Sequence, residues 1–526
     1  VVTNQLHTIN TDAKTLLNTV FGHSAFRGQQ AEIIKHISTG GDALVLMPTG
    51  GGKSLCYQLP SILRQGTGIV VSPLIALMQD QVDKLTQQGI KAALINANIP
   101  NEVARETVQL AFRGELDLLY ISPERLVSDF FLAILDGLYQ SNKIALFAID
   151  EAHCITQWGH DFRPEYRQLS TLHDRYPSVP RIALTATADP KTQTEIREQL
   201  GLSQAKRFIS SFLRPNLAYT VTDKQSAKHQ LLDFLQPRAG QAGIVYCATR
   251  KKVEQIADWL FSVGYNALPY HAGLSPEIRQ TALQRFQQES GLIVVATIAF
   301  GMGIDRADVR FVAHLDLPRN LESYYQETGR AGRDGYAAEN WMCYGLHDVL
   351  TVVLRNSHSP SAHVELMELL AYCETPKCRQ VALLSHFGEA AAPCGICDNC
   401  LEPPTYWDAT VATQKALSVI YRTGMMFGSQ HLIDVLLGKS TPKVREYGHE
   451  KLPTFGVGKE HKRSEWRRIF RQLLVAGYIE FNPEGFGALR LTEHARTVLS
   501  GNASVSLKQL PLQNIGKYSN EEKRDD

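Results

Sequence analysis

Short apolar runs alternate with amphipathic stretches over the first two thirds of the chain, and this alternation predicts parallel β-sheets covered by helices. A first series predicts strands at residues 43–47, 68–72, 117–122, 146–150 and 181–186, and a second series predicts strands at 243–249, 267–271, 292–297 and 309–317. Strands separated by helical stretches form parallel sheets with helices on both faces. The pattern therefore predicts two α/β domains in tandem, joined by an extended linker at 209–225 and separated by a cleft.

The pattern changes near residue 345, where the strand-like runs stop and helical periodicity takes over. Helices are predicted around 364–374, 378–388, 409–422, 429–437 and 464–476. Two short strand-like runs then flank residues 483–487, and helices followed by a β-hairpin predict a winged helix. We therefore expect α/β domains at 1–208 and 209–344, a helical subdomain at 345–404, a winged-helix domain at 405–505 and a polar tail or linker at 506–526.

Composition limits the possible environments of the protein. The 526 residues include 54 Lys and Arg against 53 Asp and Glu, a formal net charge of +1, so a nucleic-acid partner has to be argued from local patches. No apolar run approaches the length of a membrane span, and the first residues lack a secretory pattern. We expect a cytoplasmic protein that does not engage membranes.

A glycine-rich segment, PTGGGKS at 48–54, lies between the first predicted strand and a helix. Glycine N–H groups can close around phosphates, a lysine can reach the β- and γ-phosphate oxygens, and a serine hydroxyl can bind Mg²⁺. A glycine-rich turn without a ligand is the alternative, which the surrounding strand and helix disfavour. The residues predicted to bind a nucleotide are Thr49, Gly50, Gly51, Gly52, Lys53 and Ser54.

Two adjacent carboxylates, Asp150 and Glu151, follow the apolar run 144–149. Ligands of α/β sheets bind at the carboxyl ends of the strands, so we predict that Asp150 holds Mg²⁺ and Glu151 polarises the attacking water. Aromatic faces interleaved with cations suit the stacking of unpaired bases, although packing beneath a loop is the alternative. We predict that the next segment couples nucleic-acid binding to hydrolysis through Trp158, His160, Phe162 and Arg163.

The segment QETGRAGRDG at 326–335 belongs to the second predicted α/β domain. An arginine that crosses an interface can stabilise charge on the transferring phosphoryl group and makes hydrolysis depend on domain closure. We predict Arg333 in that role, with Arg330 beside it on the phosphates and Gln326 as a further nucleotide-binding residue. An exposed basic turn is the alternative.

Five of the nine cysteines lie between Cys373 and Cys400, which indicates metal binding rather than disulfides. Four thiolates can build a tetrahedral Zn²⁺ site, and the predicted ligands are Cys378, Cys394, Cys397 and Cys400. Cys373 is a competing fourth ligand, less favoured because it falls on the preceding helix. An iron–sulfur cluster is the competing metal group, less favoured because nothing else in the chain suggests redox chemistry.

The winged-helix region contains a basic stretch at 438–471. Ten Lys and Arg against four Glu give it a local excess of six positive charges. Such an excess is typical of a surface that binds a phosphate backbone, and a solvated charged face is the alternative. We predict duplex binding here.

Together these segments closely resemble the RecQ-type DNA helicases of superfamily two. The resemblance covers roughly residues 21–499 and includes FGHSAFRGQQ, MPTGGGKSLCYQLP, SPLIALMQDQV, DEAHCITQWGHDFRPEY, LTATA, VATIAFGMGIDRADVRFVAH and YYQETGRAGRDG. It implies an α/β fold with two tandem RecA-like parallel-sheet domains, followed by a helical zinc-binding subdomain and a winged-helix domain.

The same resemblance implies function. It predicts ATP-dependent 3′–5′ unwinding of DNA in recombination and repair, with ATP, Mg²⁺ and Zn²⁺ as cofactors. Single-stranded and duplex DNA are the implied partners, with single-strand-binding and other repair proteins as candidates, and the implied location is the nucleoid. In the motif FGHSAFRGQQ, Gln30 would read the adenine edge, with His23 and Arg27 flanking the base.

Two other functions stay open at this point. An RNA helicase would share the ATPase residues, and a non-enzymatic DNA-binding protein would keep the winged helix. The second would tolerate loss of Lys53, Glu151 or Arg333, and all three are present.

Overall fold

The computed structural model describes residues 12–48, 50–73, 75–96, 99–156, 163–301, 306–355, 360–482 and 487–509. The first unit is a seven-stranded parallel sheet with strand order β3-β4-β2-β5-β6-β1-β7. Its strands are β1 Ala43–Leu46, β2 Thr67–Val71, β3 Ala92–Ile95, β4 Leu118–Ile121, β5 Ile144–Ile149, β6 Arg181–Thr185 and β7 Lys206–Ile209. Central strands such as β1 and β5 are buried along their whole length, which explains their continuous apolar sequences.

Helices cover both faces of this sheet, as the alternating pattern predicts. Asp189 begins one of them by accepting a hydrogen bond from the Thr192 N–H at 2.6 Å, which satisfies a donor that the helix itself cannot. The α-helices span 12–19, Gln30–Ser38, Leu55–Leu63, Ile75–Gln87, Asn101–Arg113, Pro123–Leu126, Asp129–Gln140, Pro164–Gln168, Thr171–Arg175 and Pro190–Gln199, and a 3₁₀ helix spans Ala152–Ile155.

The second unit is a six-stranded parallel sheet with strand order β10-β11-β9-β12-β13-β8. Its strands are β8 Leu217–Asp223, β9 Gly243–Tyr246, β10 Ala267–Tyr270, β11 Ile293–Ala296, β12 Phe311–His314 and β13 Ala338–Tyr344. Its α-helices are Ala227–Leu235, Arg250–Ser262, Pro276–Gln288 and Leu321–Thr328, with a 3₁₀ turn at Gln236–Arg238. The two tandem parallel-sheet domains predicted from the sequence are confirmed.

The predicted linker at 209–225 is wrong over its second half. Residues 217–223 form β8, which pairs with β13 along its whole length and closes one edge of the second sheet. The polar residues Thr220, Thr222 and Asp223 interrupt its apolar pattern, and an edge strand needs only one well-buried side. The linker proper is therefore the short segment before Leu217.

The helical subdomain comprises helices Leu346–Arg355, Pro360–Glu374, Arg379–His386 and Asp398–Leu401. It packs on β8, where the Val221 N–H donates to Asp398 Oδ2 at 2.9 Å. Arg379, which is fully buried, binds both oxygens of the same Asp398 at 2.9 and 3.0 Å and the Tyr372 carbonyl at 2.6 Å. A buried guanidinium needs such partners, and here it orients Asp398, whose bond with Val221 attaches this subdomain to the second sheet.

The last unit has a winged-helix arrangement of helices and a hairpin. Its helices are Thr410–Arg422, Ser429–Leu436, Pro442–Glu446, Arg463–Val475 and Glu493–Leu499, with a 3₁₀ turn at His449–Lys451. The hairpin pairs β15 Ile479–Phe481 with β16 Leu489–Leu491, and β14 Thr405–Asp408 pairs antiparallel with β17 Ser506–Gln509. The predicted polar tail therefore starts too early, because residues 506–509 form a strand of this unit. Over the described parts of the chain, no helix is long and apolar enough to cross a membrane.

Candidate functional site

The glycine-rich segment forms a loop between β1 and helix Leu55–Leu63. Gly50 and Gly52 both have a φ of +82°, a conformation that other residues rarely adopt and that lets the backbone curl around a ligand. The Lys53 ammonium donates to the Met47 carbonyl at 3.1 Å, so it lies within the loop. Burial lowers the pKa of Lys53, while the nearby charges of Glu151 and Asp150 act in the opposite direction. Thr49 lies outside the described residues.

Gln30 holds this loop from a neighbouring helix. Its side-chain N–H₂ donates to the Gly51 and Gly52 carbonyls at 3.2 and 3.1 Å, and its Oε1 accepts from the Arg27 N–H at 2.8 Å. Gln30 is buried, whereas the side chains of His23 and Arg27 are exposed. The adenine contacts of these three residues stay a prediction. The contact between Gln30 and the glycine loop was not foreseen from the sequence.

Asp150 and Glu151 lie at the carboxyl end of β5, close to Lys53. Glu151 has a φ of 48°, an unusual backbone angle for a residue with a side chain, and its N–H donates to Asp150 Oδ1 at 3.0 Å. The Tyr166 hydroxyl donates to the Asp150 carbonyl at 2.9 Å. Burial, followed by the charge of Glu151, raises the pKa of Asp150 to about 7, and the Lys53 ammonium opposes this shift. Removal of the Asp150 carboxylate from water is thus the dominant effect on its pKa.

The raised pKa gives a testable pH dependence of metal–nucleotide binding. Below about pH 7 the neutral form of Asp150 is favoured in the ligand-free protein, and Asp150 must lose its proton to bind Mg²⁺. We expect the affinity for a Mg²⁺–nucleotide to rise between about pH 6 and pH 8, measured with a fluorescent non-hydrolysable analogue. Asp150→Asn is the control, since it keeps the titration of the phosphates and removes that of Asp150, so its affinity should depend less on pH. Identical pH curves for the two proteins would contradict this assignment.

A chain of polar contacts leads from Glu151 to the second sheet. His153 Nδ1 lies 3.4 Å from Glu151 Oε2 and 2.9 Å from Thr185 Oγ1, and the Thr185 hydroxyl donates to the Thr187 carbonyl at 2.9 Å. The Gln326 side-chain amide of the second domain then donates to Thr187 Oγ1 at 2.7 Å. The predicted residue Gln326 therefore contacts the first domain directly. Sequence reasoning did not select His153, Thr185 or Thr187, which become relevant only when β5 and β6 lie side by side.

The two predicted arginines occupy different positions. A Cβ atom on Gly50 would lie 3.3 Å from Arg333 Cγ, so Arg333 reaches the glycine loop across the cleft. Its positive charge also contributes to the lowered pKa of Lys53. Arg330 is buried and its guanidinium donates to the Gly301 carbonyl within the second domain. The structure therefore brings Arg333 to the nucleotide loop, whereas Arg330 is engaged in its own domain and its contact with phosphates stays a prediction.

Trp158, His160 and Phe162 fall in residues 157–162, outside the described part of the chain. Both ends of this segment are attached next to Glu151. The Thr156 hydroxyl donates to the His153 carbonyl at 2.9 Å, and the Arg163 N–H donates to the Cys154 carbonyl at 3.0 Å. The Arg163 guanidinium lies at the surface and donates to Glu124 Oε1 at 3.0 Å.

Four sulfur atoms form a compact cluster in the helical subdomain. The Sγ atoms of Cys378, Cys394, Cys397 and Cys400 all lie within 4.8 Å of one another. Backbone N–H groups donate to these sulfurs, from Cys394 to Cys378 Sγ at 3.2 Å and from Arg379 to Cys397 Sγ at 3.4 Å, as expected for thiolates that bind a metal. Four sulfur ligands at this spacing fit tetrahedral Zn²⁺. Cys373, the competing ligand, is buried on helix Pro360–Glu374 and is not a member of the cluster.

Loss of the metal should destabilise this subdomain. Because four cysteines from two segments, Cys378 and the turn 394–400, converge on one site, we expect Cys397→Ala or treatment with a strong chelator to cost about 5 kcal/mol or more of local stability. The measurements are zinc content and the thermal unfolding midpoint. Cys373→Ala is the matched control, a buried cysteine whose loss should leave one zinc per chain. Loss of zinc with an unchanged unfolding midpoint would contradict a structural role.

The basic stretch at 438–471 is less available to a ligand than its charge count indicates. Arg471 is buried and pairs with Asp223 and with Glu374, the latter at 2.8 Å. Arg468 also pairs with Asp223 at 2.8 Å, and Arg463 pairs with Asp434. The four glutamates of the stretch are therefore opposed by seven exposed cations instead of ten. These are Lys439, Lys443, Arg445, Lys451, Lys459, Lys462 and Arg467. Three arginines thus attach the winged unit to the rest of the chain or stabilise it internally.

Family models of helicases match successive parts of the chain between residues 27 and 514. Four family models match in succession: DEAD/DEAH box helicase at 27–196, helicase conserved C-terminal domain at 226–335, RecQ zinc-binding at 352–401 and RQC domain at 403–514. The zinc-binding match covers the four-cysteine cluster and confirms zinc as its metal.

Relatives that match nearly the whole chain are also helicases. The ATP-dependent DNA helicase RecQ of Haemophilus influenzae is 43% identical over 524 residues, which covers 97% of this chain and 83% of that protein. The protein of the same name from Bacillus subtilis is 38% identical over 506 residues, or 94% of this chain and 85% of that protein. Among solved structures, the DUF1998 helicase MrfA bound to DNA has a TM-score of 0.54 at 18% identity, over 69% of this chain and 56% of that one, a likeness of fold.

Proposed function

The chain belongs to the RecQ family of ATP-dependent DNA helicases, and we propose that it moves 3′ to 5′ along one DNA strand and unwinds duplexes during recombination and repair. The relatives and family models support the ATP-dependent helicase activity. The observation on which the mechanism rests is the approach of Arg333 to Gly50 across the cleft, because it makes the nucleotide site a joint product of both domains.

We propose that Lys53, Ser54 and Asp150 hold the phosphates of ATP and the accompanying Mg²⁺. The Lys53 ammonium would supply positive charge where the β- and γ-phosphates would lie, and the backbone N–H groups of Gly50 and Gly52 would supply donors, since that of Gly51 donates to the Pro48 carbonyl. Mg²⁺, when bound, neutralises charge on the phosphate oxygens. Glu151 would orient the attacking water, and its contact with His153, which Thr185 in turn holds, restricts its side chain.

Arg333 would stabilise the charge that develops on the transferring phosphoryl group. Because it is on the second domain, hydrolysis then requires the cleft to be closed. The Gln326–Thr187 hydrogen bond supports this, since it joins the two domains and is connected to Glu151 through Thr185 and His153. Closure would advance the second domain along one DNA strand, and opening after hydrolysis would let the first domain follow.

We propose that Trp158, His160, Phe162 and Arg163 report strand occupancy to Glu151. The attachment of both segment ends to His153 and Cys154 supports this role, because a displacement of the segment acts on the residues that hold Glu151. We expect Trp158→Ala to retain single-stranded DNA binding and basal hydrolysis, but to lose most of the stimulation of hydrolysis by DNA. Phe112→Ala, which removes an exposed aromatic side chain elsewhere in the first domain, is the control. Full stimulation in Trp158→Ala would return the segment to a packing role.

The winged unit is proposed to hold the duplex ahead of the moving strand. The seven exposed cations of its basic stretch at 438–471 support contact with phosphates. Single-strand-binding and other repair proteins are candidate partners of such a motor, which would act at the nucleoid.

An ATPase assay with different nucleic acids tests the choice of DNA. We compare hydrolysis without nucleic acid, with single-stranded DNA and with RNA of the same sequence. Stimulation by DNA well above that by RNA is expected. Equal or greater stimulation by RNA would favour an RNA helicase, and hydrolysis absent under all three conditions would favour a non-enzymatic DNA-binding protein.

A further inference from the structure

The linker between the two sheets makes an unusual contact with the loop that holds Arg333. The Arg214 guanidinium donates to three backbone carbonyls of that loop, those of Gly329 at 3.3 Å, Ala331 at 3.0 Å and Gly332 at 2.8 Å. Asn216, two residues further on, donates from its side-chain amide to the Gly332 carbonyl at 2.9 Å and to the Tyr336 carbonyl at 2.8 Å. The linker therefore binds the backbone on both sides of Arg333.

This contact has a clear physical basis. Helix Leu321–Thr328 ends at its C-cap Gly329, whose carbonyl belongs to the negative end of the helix dipole, and the other two acceptors, Ala331 and Gly332, follow in the turn. A guanidinium is suited to several such acceptors at once, because it presents a fixed fork of N–H donors. Gly332, the residue before Arg333, has a φ of +56°, and its carbonyl is the one shared by Arg214 and Asn216. These bonds fix the direction in which the chain enters Arg333.

The linker is itself held from the other side by the zinc-binding subdomain. The Gln380 side-chain amide donates to the Arg214 carbonyl at 2.6 Å. The Phe212 N–H donates to Glu389 Oε2 at 2.7 Å, and the Phe212 ring stacks on Phe387 with centroids 4.7 Å apart. The Tyr325 hydroxyl, on the helix that leads into the arginine loop, donates to the Phe212 carbonyl at 2.9 Å. The backbone that carries Arg214 is thus fixed by the zinc-binding subdomain, and this fixes the point from which the Arg214 side chain extends to the loop.

We propose that Arg214 is a positioning residue for ATP hydrolysis, which acts by holding the loop that presents Arg333 to the nucleotide. The inference rests on the proposed function, in which Arg333 stabilises the transferring phosphoryl group. Arg214 acts on the geometry of Arg333, since among the described residues its guanidinium bonds go to Gly329, Ala331 and Gly332 and none goes to the nucleotide loop. Its loss should therefore weaken binding of the transition state and leave binding of ATP in the ground state almost unchanged.

The test uses the full chain and five variants. Arg214→Ala removes the bonds, and Arg214→Lys keeps the charge but offers a single point donor in place of the fork. Arg238→Ala is the matched control, since Arg238 is also a partly buried arginine of the second domain and binds the Phe234 carbonyl and Glu339 without contact to the loop. Arg333→Ala and the double variant Arg214→Ala/Arg333→Ala complete the set.

Three readouts separate positioning from general stability. They are kcat and KM of DNA-stimulated hydrolysis, the affinity for ADP with aluminium fluoride, which mimics the transferring phosphoryl group, and the thermal midpoint. We expect Arg214→Ala to lower kcat by roughly 10- to 100-fold with little change in KM, as for a displaced catalytic group, and to weaken the aluminium fluoride complex but not ADP alone. Arg214→Lys should recover part of kcat, and Arg238→Ala should match the unmodified chain.

The double variant decides whether Arg214 acts through Arg333. Its kcat should be no lower than that of Arg333→Ala, because the loop then has no arginine to position. Independent, multiplying losses would overturn the inference, and so would an unchanged kcat in Arg214→Ala alongside a large loss in Arg333→Ala. If Arg333→Ala itself retained full kcat, the proposed function of Arg333 would fail instead. A fall in the thermal midpoint with equal losses of ADP and aluminium fluoride binding would reduce Arg214 to a structural role.

Discussion

Replacing Arg333 with alanine is expected to lower the kcat of DNA-stimulated ATP hydrolysis by roughly 1000-fold, which is at the lower end of the effect of an arginine finger. Arg333 lies against Gly50 of the nucleotide loop although it belongs to the other sheet. Its charge would be needed mainly where negative charge develops during phosphoryl transfer, so KM and the affinity for single-stranded DNA should change little. The measurement is steady-state hydrolysis with saturating DNA.

Arg285→Ala is the matched control for this variant. Arg285 lies on helix Pro276–Gln288 of the same domain and pairs with Glu289 at the surface, so its loss should leave kcat unchanged. A kcat within a few-fold of the unmodified value in Arg333→Ala would contradict hydrolysis at a joint site between the two domains.

The second large effect is expected for Lys53→Ala, which should reduce ATP hydrolysis by about 100-fold or more and abolish unwinding. Lys53 is held inside the glycine loop by its bond to the Met47 carbonyl and lies close to Asp150 and Glu151. Its removal would leave the β- and γ-phosphate oxygens without the ammonium that we propose binds them. Binding of DNA should persist, because the exposed cations of the winged unit are untouched.

Lys206→Ala is the control, an exposed lysine of the first sheet that pairs with Glu32 at 2.6 Å. Hydrolysis, unwinding and DNA affinity are compared in the three proteins. If Lys53→Ala retained DNA-stimulated hydrolysis, the assignment of the nucleotide site would be wrong.

The sequence predicts most of the central strands, but it misses β3, β7 and β8 at the sheet edges and the interior strand β13 beside β8. Strands such as β1, β5 and β9 are buried on both faces, so their sequences are continuous apolar runs. The outermost strands β7 and β8 contain polar residues among apolar ones, as in Lys206–Ile209 and Leu217–Asp223, because less of their surface is covered. Strand β8 was therefore mistaken for linker, although the domain that it completes was predicted.

The candidate site shows a similar division between local and distant contacts. Local spacing indicates the chemistry of the phosphate loop, of the Asp150–Glu151 pair and of the four cysteines. In the structure the loop lies beside the carboxylate pair, and the four cysteines form a separate cluster. Contacts between distant segments have no such signal: neither the bond from Gln30 to the glycine loop nor that from Arg214 to Gly332 follows from spacing.

The basic stretch shows the opposite error, in which local composition overstated a surface. Its charge count could not distinguish exposed cations from Arg471, which is buried and paired with Asp223 and Glu374. Charge counts along a sequence describe a potential binding surface only after internal ion pairs are removed from them.

A strand-displacement assay tests the central claim most directly. Duplexes with a 3′ single-stranded tail and with a 5′ tail are mixed with the protein, with ATP or with a non-hydrolysable analogue. We predict release of the complementary strand from the 3′-tailed duplex only, and only with ATP. Equal release from both duplexes, preference for the 5′ tail, or release without hydrolysis would contradict an ATP-driven motor that moves 3′ to 5′ on DNA.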